Sequence, residues 1–339
     1  MRKLLTGVIL TFSIFTLAFA FNFLNESFEV ANDIWQSPKF ESPSCGISDI
    51  AMSTSSVIIL SKDGELDVYS YDGTLKNYWS LWNVKNVEST ATHAIPYYSG
   101  MSVANDEIFV AYSTRGYIKK EEKKGNTYYV DIESRKKNQN ILVFNLSGKL
   151  MNEFGDLAYP TDIKVFNSKI YVTDGTKDEV MIYNMNGKIL QKFKMPIYKV
   201  DSPKKADVFL SKNEYYLVHH PESLTVLSND IYVVGNDGFG RNFLYKFEQS
   251  GRTLKKIQVS GDKIFTFAKN LWISDEKGGF VVYDENLNKL GTVQKIQKMK
   301  IESGLLAYHK KNGKVLVAVS SSVALPNKSI QFFYWGSEK

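Results

Sequence analysis

Cysteine is nearly absent from this chain: of 339 residues only Cys45 is one. A single thiol closes no internal disulfide, so stability must come from packing. Cys45 itself is expected to behave as a small buried hydrophobe. Histidine is scarce, at four residues. Several sets of catalytic residues are missing altogether. There is no G-x-S-x-G elbow, no H-E-x-x-H, no phosphate-binding Walker loop and no paired-Cys motif, which removes the residues those chemistries require. Charge of one sign is also lacking. The 42 basic and 36 acidic residues leave a formal +6, too mild to imply a nucleic-acid partner. Beyond the first residues, no apolar run approaches the roughly 20 needed to span a membrane.

The exception sits at the start. Arg2 and Lys3 are followed by apolar Leu4–Phe19 and then by Ala18-Phe19-Ala20, a small-x-small cleavage pattern. Residues 1–20 therefore read as a signal peptide. No cysteine follows the apolar run, so a lipoprotein is not expected, and no transmembrane anchor remains after cleavage. The expected location is periplasmic or secreted. Residues 21–339 read as one domain, with 43% hydrophobic and 14% aromatic residues over the whole chain to build a core.

Pro160 to Met195 is the clearest stretch of that domain. Ile163 and Val165 alternate with polar residues, as in a half-buried strand. Asn167-Ser168 is turn chemistry, and Ile170-Tyr171-Val172 a second strand. Val180 to Tyr183 is apolar on both faces, as a strand buried between layers would be. Asn186-Gly187 is a strong hairpin signal, and Lys188 to Met195 is a more polar edge strand. The stretch resembles an NHL-type repeat, the blade of a six-bladed β-propeller. Pro160, Ile163, Ile170, Tyr171, Val172, Asp174, Ile182, Tyr183, Gly187 and Lys188 carry the resemblance. It implies architecture and specifies no catalytic residue.

Partial copies recur. Inner strands begin near Ile50, Met101, Ile163, Leu224, Ile264 and Leu305, at spacings of 51, 62, 61, 40 and 41 residues. A period near 40 suits propeller blades. The expected fold is thus all-β, a six-bladed β-propeller of four-stranded antiparallel blades. The sixth repeat ends one strand short, and Phe21 to Val30 is a strand left over. The N-terminal strand is therefore predicted to complete the last blade and close the ring. Third strands end on Tyr69, Phe144, Tyr183, Phe247, Tyr283 and Phe333, predicted to pack between neighbouring blades.

Three insertions lengthen the period: Leu81–Gly100, Ser113–Asn140 and Pro196–Pro221. All fall in connections that an antiparallel blade places on one face. The middle one reads as a projecting hairpin. The third reads as a loop, although VFLSKNEYYLV within it has the makings of an extra hairpin. Elaborated loops on a rigid scaffold are where binding usually resides. The reading is an exported binding or protein-interaction module using that face, with an unknown protein or glycan of the cell envelope as partner. A monomer is expected.

An enzymatic alternative rests on residues at the mouth of the ring. Asp49, Asp162 and Glu222 lead into inner strands, and His93 and His219 lie nearby in sequence. Together they could hold Ca²⁺ or another divalent metal, as in a metal-dependent lactonase or lyase. Plain strand-start acids that bond loop amides are the competing reading. Trp82, Tyr97, Tyr98, Tyr159 and His220 are the candidates for a ligand or partner surface.

Overall fold

Each repeat folds into a blade because its four short apolar segments are separated by turn residues that reverse the chain. In the computed structural model the residues described are 28–31, 47–61, 64–81, 96–114, 117–124, 127–133, 140–200, 215–301, 304–311, 314–320 and 330–335. The third blade runs Pro160–Phe166, Lys169–Asp174, Glu179–Asn184 and Ile189–Lys194, each strand antiparallel to the next. Its first reversal is a two-residue turn with φ of 48° at Asn167 and 56° at Ser168, the conformation that matches strand twist.

The Asn186-Gly187 reversal differs from the two-residue hairpin its sequence suggests. The Gly187 amide donates to the Asn184 carbonyl (3.0 Å) and the Asn184 amide to that of Lys188 (2.9 Å). The register shifts by one between Ile182 and Tyr183, and Gly187 has φ 81°. This is a longer turn ending in a bulge at a left-handed residue. The Asn184 side chain stabilises it by accepting from the amides of Asn186 and Lys188. A Cβ on Gly187 would lie 2.4 Å from Phe154 of the preceding blade, so the glycine is needed for both conformation and packing.

The first blade comprises Ile47–Met52, Ser56–Ser61, Glu65–Ser70 and Leu75–Ser80. The second comprises Pro96–Ala104, Glu107–Thr114, Ile141–Asn145 and Leu150–Phe154. The fourth comprises His220–Leu227, Asp230–Asn236, Asn242–Phe247 and Thr253–Val259. The fifth comprises Ile264–Phe267, Asn270–Ser274, Phe280–Tyr283 and Lys289–Val293. The sixth takes Leu305–Lys311, Lys314–Ser320 and Ile330–Trp335 from the C-terminal end. Its outer strand is Phe28–Val30, which pairs antiparallel with the last strand, Val30 opposite Phe333 and Phe28 opposite Trp335. The chain is a six-bladed β-propeller closed by its N-terminal strand.

The core lies between blades. Phe144, Tyr183, Phe247 and Phe333 are buried there, as are Tyr69 and Tyr283. Each such side chain contributes on the order of 2–3 kcal/mol by leaving water. The described parts of the second and third insertions share one face, and residues 82–95 of the first lie outside the described residues. Tyr117–Lys124 and Thr127–Glu133 form the expected hairpin. The third insertion, read as a loop, instead pairs Ile197–Val200 with Tyr215–Val218. A short ribbon, Lys295–Ile296 with Met299–Lys300, joins the fifth and sixth blades on the same face.

Removing the chain up to residue 31 would leave the last strand as a bare edge. The truncated protein is expected to melt lower by about 5 °C or more and to self-associate, as read by thermal melting and size-exclusion chromatography. An unchanged melt and elution would show that the N-terminal strand does not hold the ring.

Candidate functional site

The inner strand of each blade turns one edge to the axis, where no further strand satisfies its amides. Side chains of the neighbouring blade do so instead. The Met101 amide donates to Asp49 Oδ2 (2.9 Å) and the Val165 amide to Ser102 Oγ (2.9 Å). The Leu224 amide donates to Asp162 Oδ2 (3.0 Å) and the Ile264 amide to Ser223 Oγ (3.2 Å). Four successive blade junctions are tied in this way. The register shifts at Ile47/Asp49, Tyr98/Gly100, Pro160/Asp162 and Pro221/Ser223. Such bulges re-aim side chains. In the second blade the equivalent residue is Gly100, where a Cβ would lie 2.6 Å from Asp162 Oδ1.

Asp49 and Asp162 come together on Lys164. Its Nζ lies 3.6 Å from Asp49 Oδ2 and 3.4 Å from Asp162 Oδ1. The carboxylates are 6% and 2% exposed, the lysine side chain 22%. Burial pushes the Lys164 ammonium toward losing its proton, but Asp162 and Asp49 outweigh burial and raise its pKa above the ordinary value. Asp49 also accepts from the Ile50 amide, and Asp162 from the Ile163 amide and Ser223 Oγ. Lys164 therefore occupies the position between the two carboxylates that a bound cation would take. Across the mouth, Lys263 Nζ of the fifth blade donates to the Ser99 carbonyl of the second (3.1 Å). An axial cavity of about 160 Å³ runs from Asp49 and Lys164 past Thr225 and Phe265 to Tyr308.

His219 lies apart from this pair. Buried, it is boxed by Phe243, Tyr198 and Tyr245, with ring centroids at 4.5, 5.2 and 5.6 Å. Its Nδ1 pairs with the Tyr245 hydroxyl, and Lys256 Nζ sits 3.7 Å from the Tyr198 ring centroid. Burial, then the charge of Lys256, push its pKa down to about 4. His220 Nδ1 lies 2.6 Å from Asp178 Oδ1. Glu222 is half-buried, and burial and then Asp262 push its pKa up. Among the described residues, no three of His, Cys, Asp and Glu gather as metal ligands.

The surface candidates separate likewise. Tyr98 was expected on the surface and is buried instead. It stacks on Tyr112 at 6.1 Å and lies so close to Gly64 that a Cβ there would meet its ring at 2.0 Å. Its apolar body fills the seam between the first two blades. Tyr159 is half-buried at the start of the third blade. Tyr97 pairs with Ser113 along the second blade's inner strand, and its side chain is outside the described residues. Trp82 and His93 also lie outside them.

Sequence reasoning missed a groove of about 640 Å³ between the fourth and fifth blades, on the insertion face. Arg241, Asn242 and Gln258 line one side, and Lys277, Lys289 and Gln294 the other. Asp237, fully buried, anchors the loop beside it by accepting from the Phe239 and Arg241 amides and from Arg241 Nε. Burial pushes the Asp237 carboxyl up, but those amides and Arg241 outweigh it, so it is more acidic than usual. No motif marks the groove, because its residues come from loops and outer strands far apart in sequence.

No family model matches the chain, and no curated protein does. Solved structures are similar to this chain at low identity only. A protein of unknown function from Bacteroides caccae has 13% identity and a TM-score of 0.46, with 76% of this chain and 84% of that one covered. The computationally designed protein Ika8 has 10% identity and a TM-score of 0.46, over 87% and 98%. Raptor from Chaetomium thermophilum has 12% identity and a TM-score of 0.49, over 88% of this chain and 24% of that one.

Two measurements probe the site. Lys164→Met would leave two buried carboxylates facing each other and is expected to cost about 3 kcal/mol in urea unfolding. Adding Asp49→Asn and Asp162→Asn should recover part of that loss. The second concerns pH. The fold holds His219 neutral to about pH 4, whereas an unfolded histidine takes a proton near about 6.5. Its contribution, on the order of 3 kcal/mol, is therefore present above about pH 6.5 and lost as pH falls toward 4. His219→Gln should flatten the melting-temperature profile in that window, and parallel profiles would mean that the ring is not held neutral.

Proposed function

We propose that this chain is an exported binding module whose working surface is the insertion face. The observation that carries the reading is a coincidence of position. The hairpin Tyr117–Glu133, the hairpin Ile197–Val218, the ribbon Lys295–Lys300 and the groove between the fourth and fifth blades all sit on that face. The opposite face carries the short reversals, such as Asn105–Asp106, Asn167–Ser168 and Ala268–Lys269. Loops held by a rigid scaffold suit recognition. The NHL-like pattern of the third blade fits the same reading, since that pattern is architectural. The leader-like residues 1–20 would put the surface outside the cytoplasm, against an envelope protein or glycan.

The axial mouth suits a framework role better than a reaction centre. Asp49 and Asp162 direct their oxygens to amides, to Ser223 and to Lys164, and Lys263 reaches across the opening. Both lysines and both aspartates are thereby engaged within the ring.

Hydrogen-exchange footprinting with and without concentrated envelope extract tests the reading. Protection is expected at residues 237–242, 258–260, 275–277 and 294–300, with the reversals at 105–106, 167–168 and 268–269 unchanged. Protection confined to those reversals would overturn it.

A further inference from the structure

We infer that the groove between the fourth and fifth blades is a binding site for a neutral oligosaccharide. The inference deepens the binding reading above and rests on it. Three observations support it. The first is hydrogen-bonding capacity left unused. Glu276, Lys277, Lys289, Thr292 and Gln294 all line the groove, and none has a side-chain hydrogen bond or ion pair among the described residues. They offer donors and acceptors side by side. A sugar hydroxyl donates one bond and accepts others, so a hydroxyl-rich ligand can use both kinds at once.

The second observation is charge. Lys277 and Lys289 are balanced by Asp275 and Glu276 within the lining, and Arg241 is neutralised by Asp237 at 2.5 Å. Counting Asp237, the charges of the lining sum to zero, so the lining itself does not select a phosphate or polyanion. Purely apolar ligands are disfavoured too, because Val259, Val281 and Tyr283 in the lining are all buried. Phe239, 48% exposed, sits in the same loop as Gly240 and Arg241. An exposed ring beside a polar groove suits the C–H face of a pyranose.

The third is rigidity and size. The walls are paired strands, Thr253–Val259 on Asn242–Phe247 and Lys289–Val293 on Phe280–Tyr283. The two bordering loops are pinned from within. Asp237 does this for one, and Asp275 for the other, by accepting from the Lys277 amide. At about 640 Å³ the groove falls within the range of roughly 300–1,000 Å³ typical of ligand sites, and a site on fixed elements needs little ordering on binding.

The test is calorimetric titration of the mature chain with chitotetraose, maltotetraose, cellotetraose and mannotetraose at millimolar concentration. The same titrations are run on Lys289→Ala, Gln294→Ala and, from the opposite face, Lys188→Ala. The Lys289 and Gln294 side chains are exposed and have no partner among the described residues, so their variants should melt like the parent. Expected is binding of at least one sugar, weakened about tenfold by either groove variant and unchanged by Lys188→Ala. Binding that survives both groove substitutions would overturn the groove as the site. Failure of every sugar to bind, with envelope-extract protection of the insertion face retained, would overturn the saccharide class and leave the binding reading standing. Failure of both experiments would overturn the two together.

Discussion

A propeller has an unsatisfied edge at its centre, and in this chain the rest of the structure depends on how that edge is met. Amides of one inner strand donate to a carboxylate or hydroxyl carried by the blade before it. A buried unpaired amide costs about 1–3 kcal/mol, so each bond fixes the angle and height at which two blades meet. Asp49 and Asp162 are suited to this because a carboxylate can accept several amides at once. Their two negative charges near the axis then require a cation, and Lys164 supplies it from within the chain. Geometry, hydrogen bonding and charge at the centre are thus solved by the same few residues.

Outer contacts follow from that centre. Once the junctions are set, the turn glycines of successive blades press against aromatic residues of the blade before. Gly148 meets Trp79, Gly187 meets Phe154 and Gly251 meets Phe193. The fifth blade replaces this glycine by Leu287, at φ 61°, and buries the leucine. These turn contacts lie on the face opposite the insertions and do not constrain them.

Much of the architecture was legible in the sequence, because strand period, turn residues and repeat spacing are local signals. The six inner strands, the aromatic ends of the third strands and the N-terminal closing strand all follow from them. The strand Tyr215–Val218 was harder to place. Its residues suit a strand, but its partner Ile197–Val200 lies across a long insertion. The site was less legible for a related reason. Aspartates at strand starts signal axial positions, yet nothing local says that Lys164 stands between them rather than a metal. Tyr98 reads as a surface aromatic until Gly64 is seen beneath it. The groove draws on residues from 240 to 294, and no short motif spans such a set.

Closure through Phe28–Val30 also has a temporal side. This first described strand pairs with the last, Ile330–Trp335, a contact separated by some three hundred residues. Interior blades can form from local hairpins as they appear, but the sixth blade cannot exist until Ile330–Trp335 has been made. Contacts of such long separation carry a loop-closure cost and form slowly. The chain would therefore pass through an open, five-bladed arc with two bare seams before it becomes a ring.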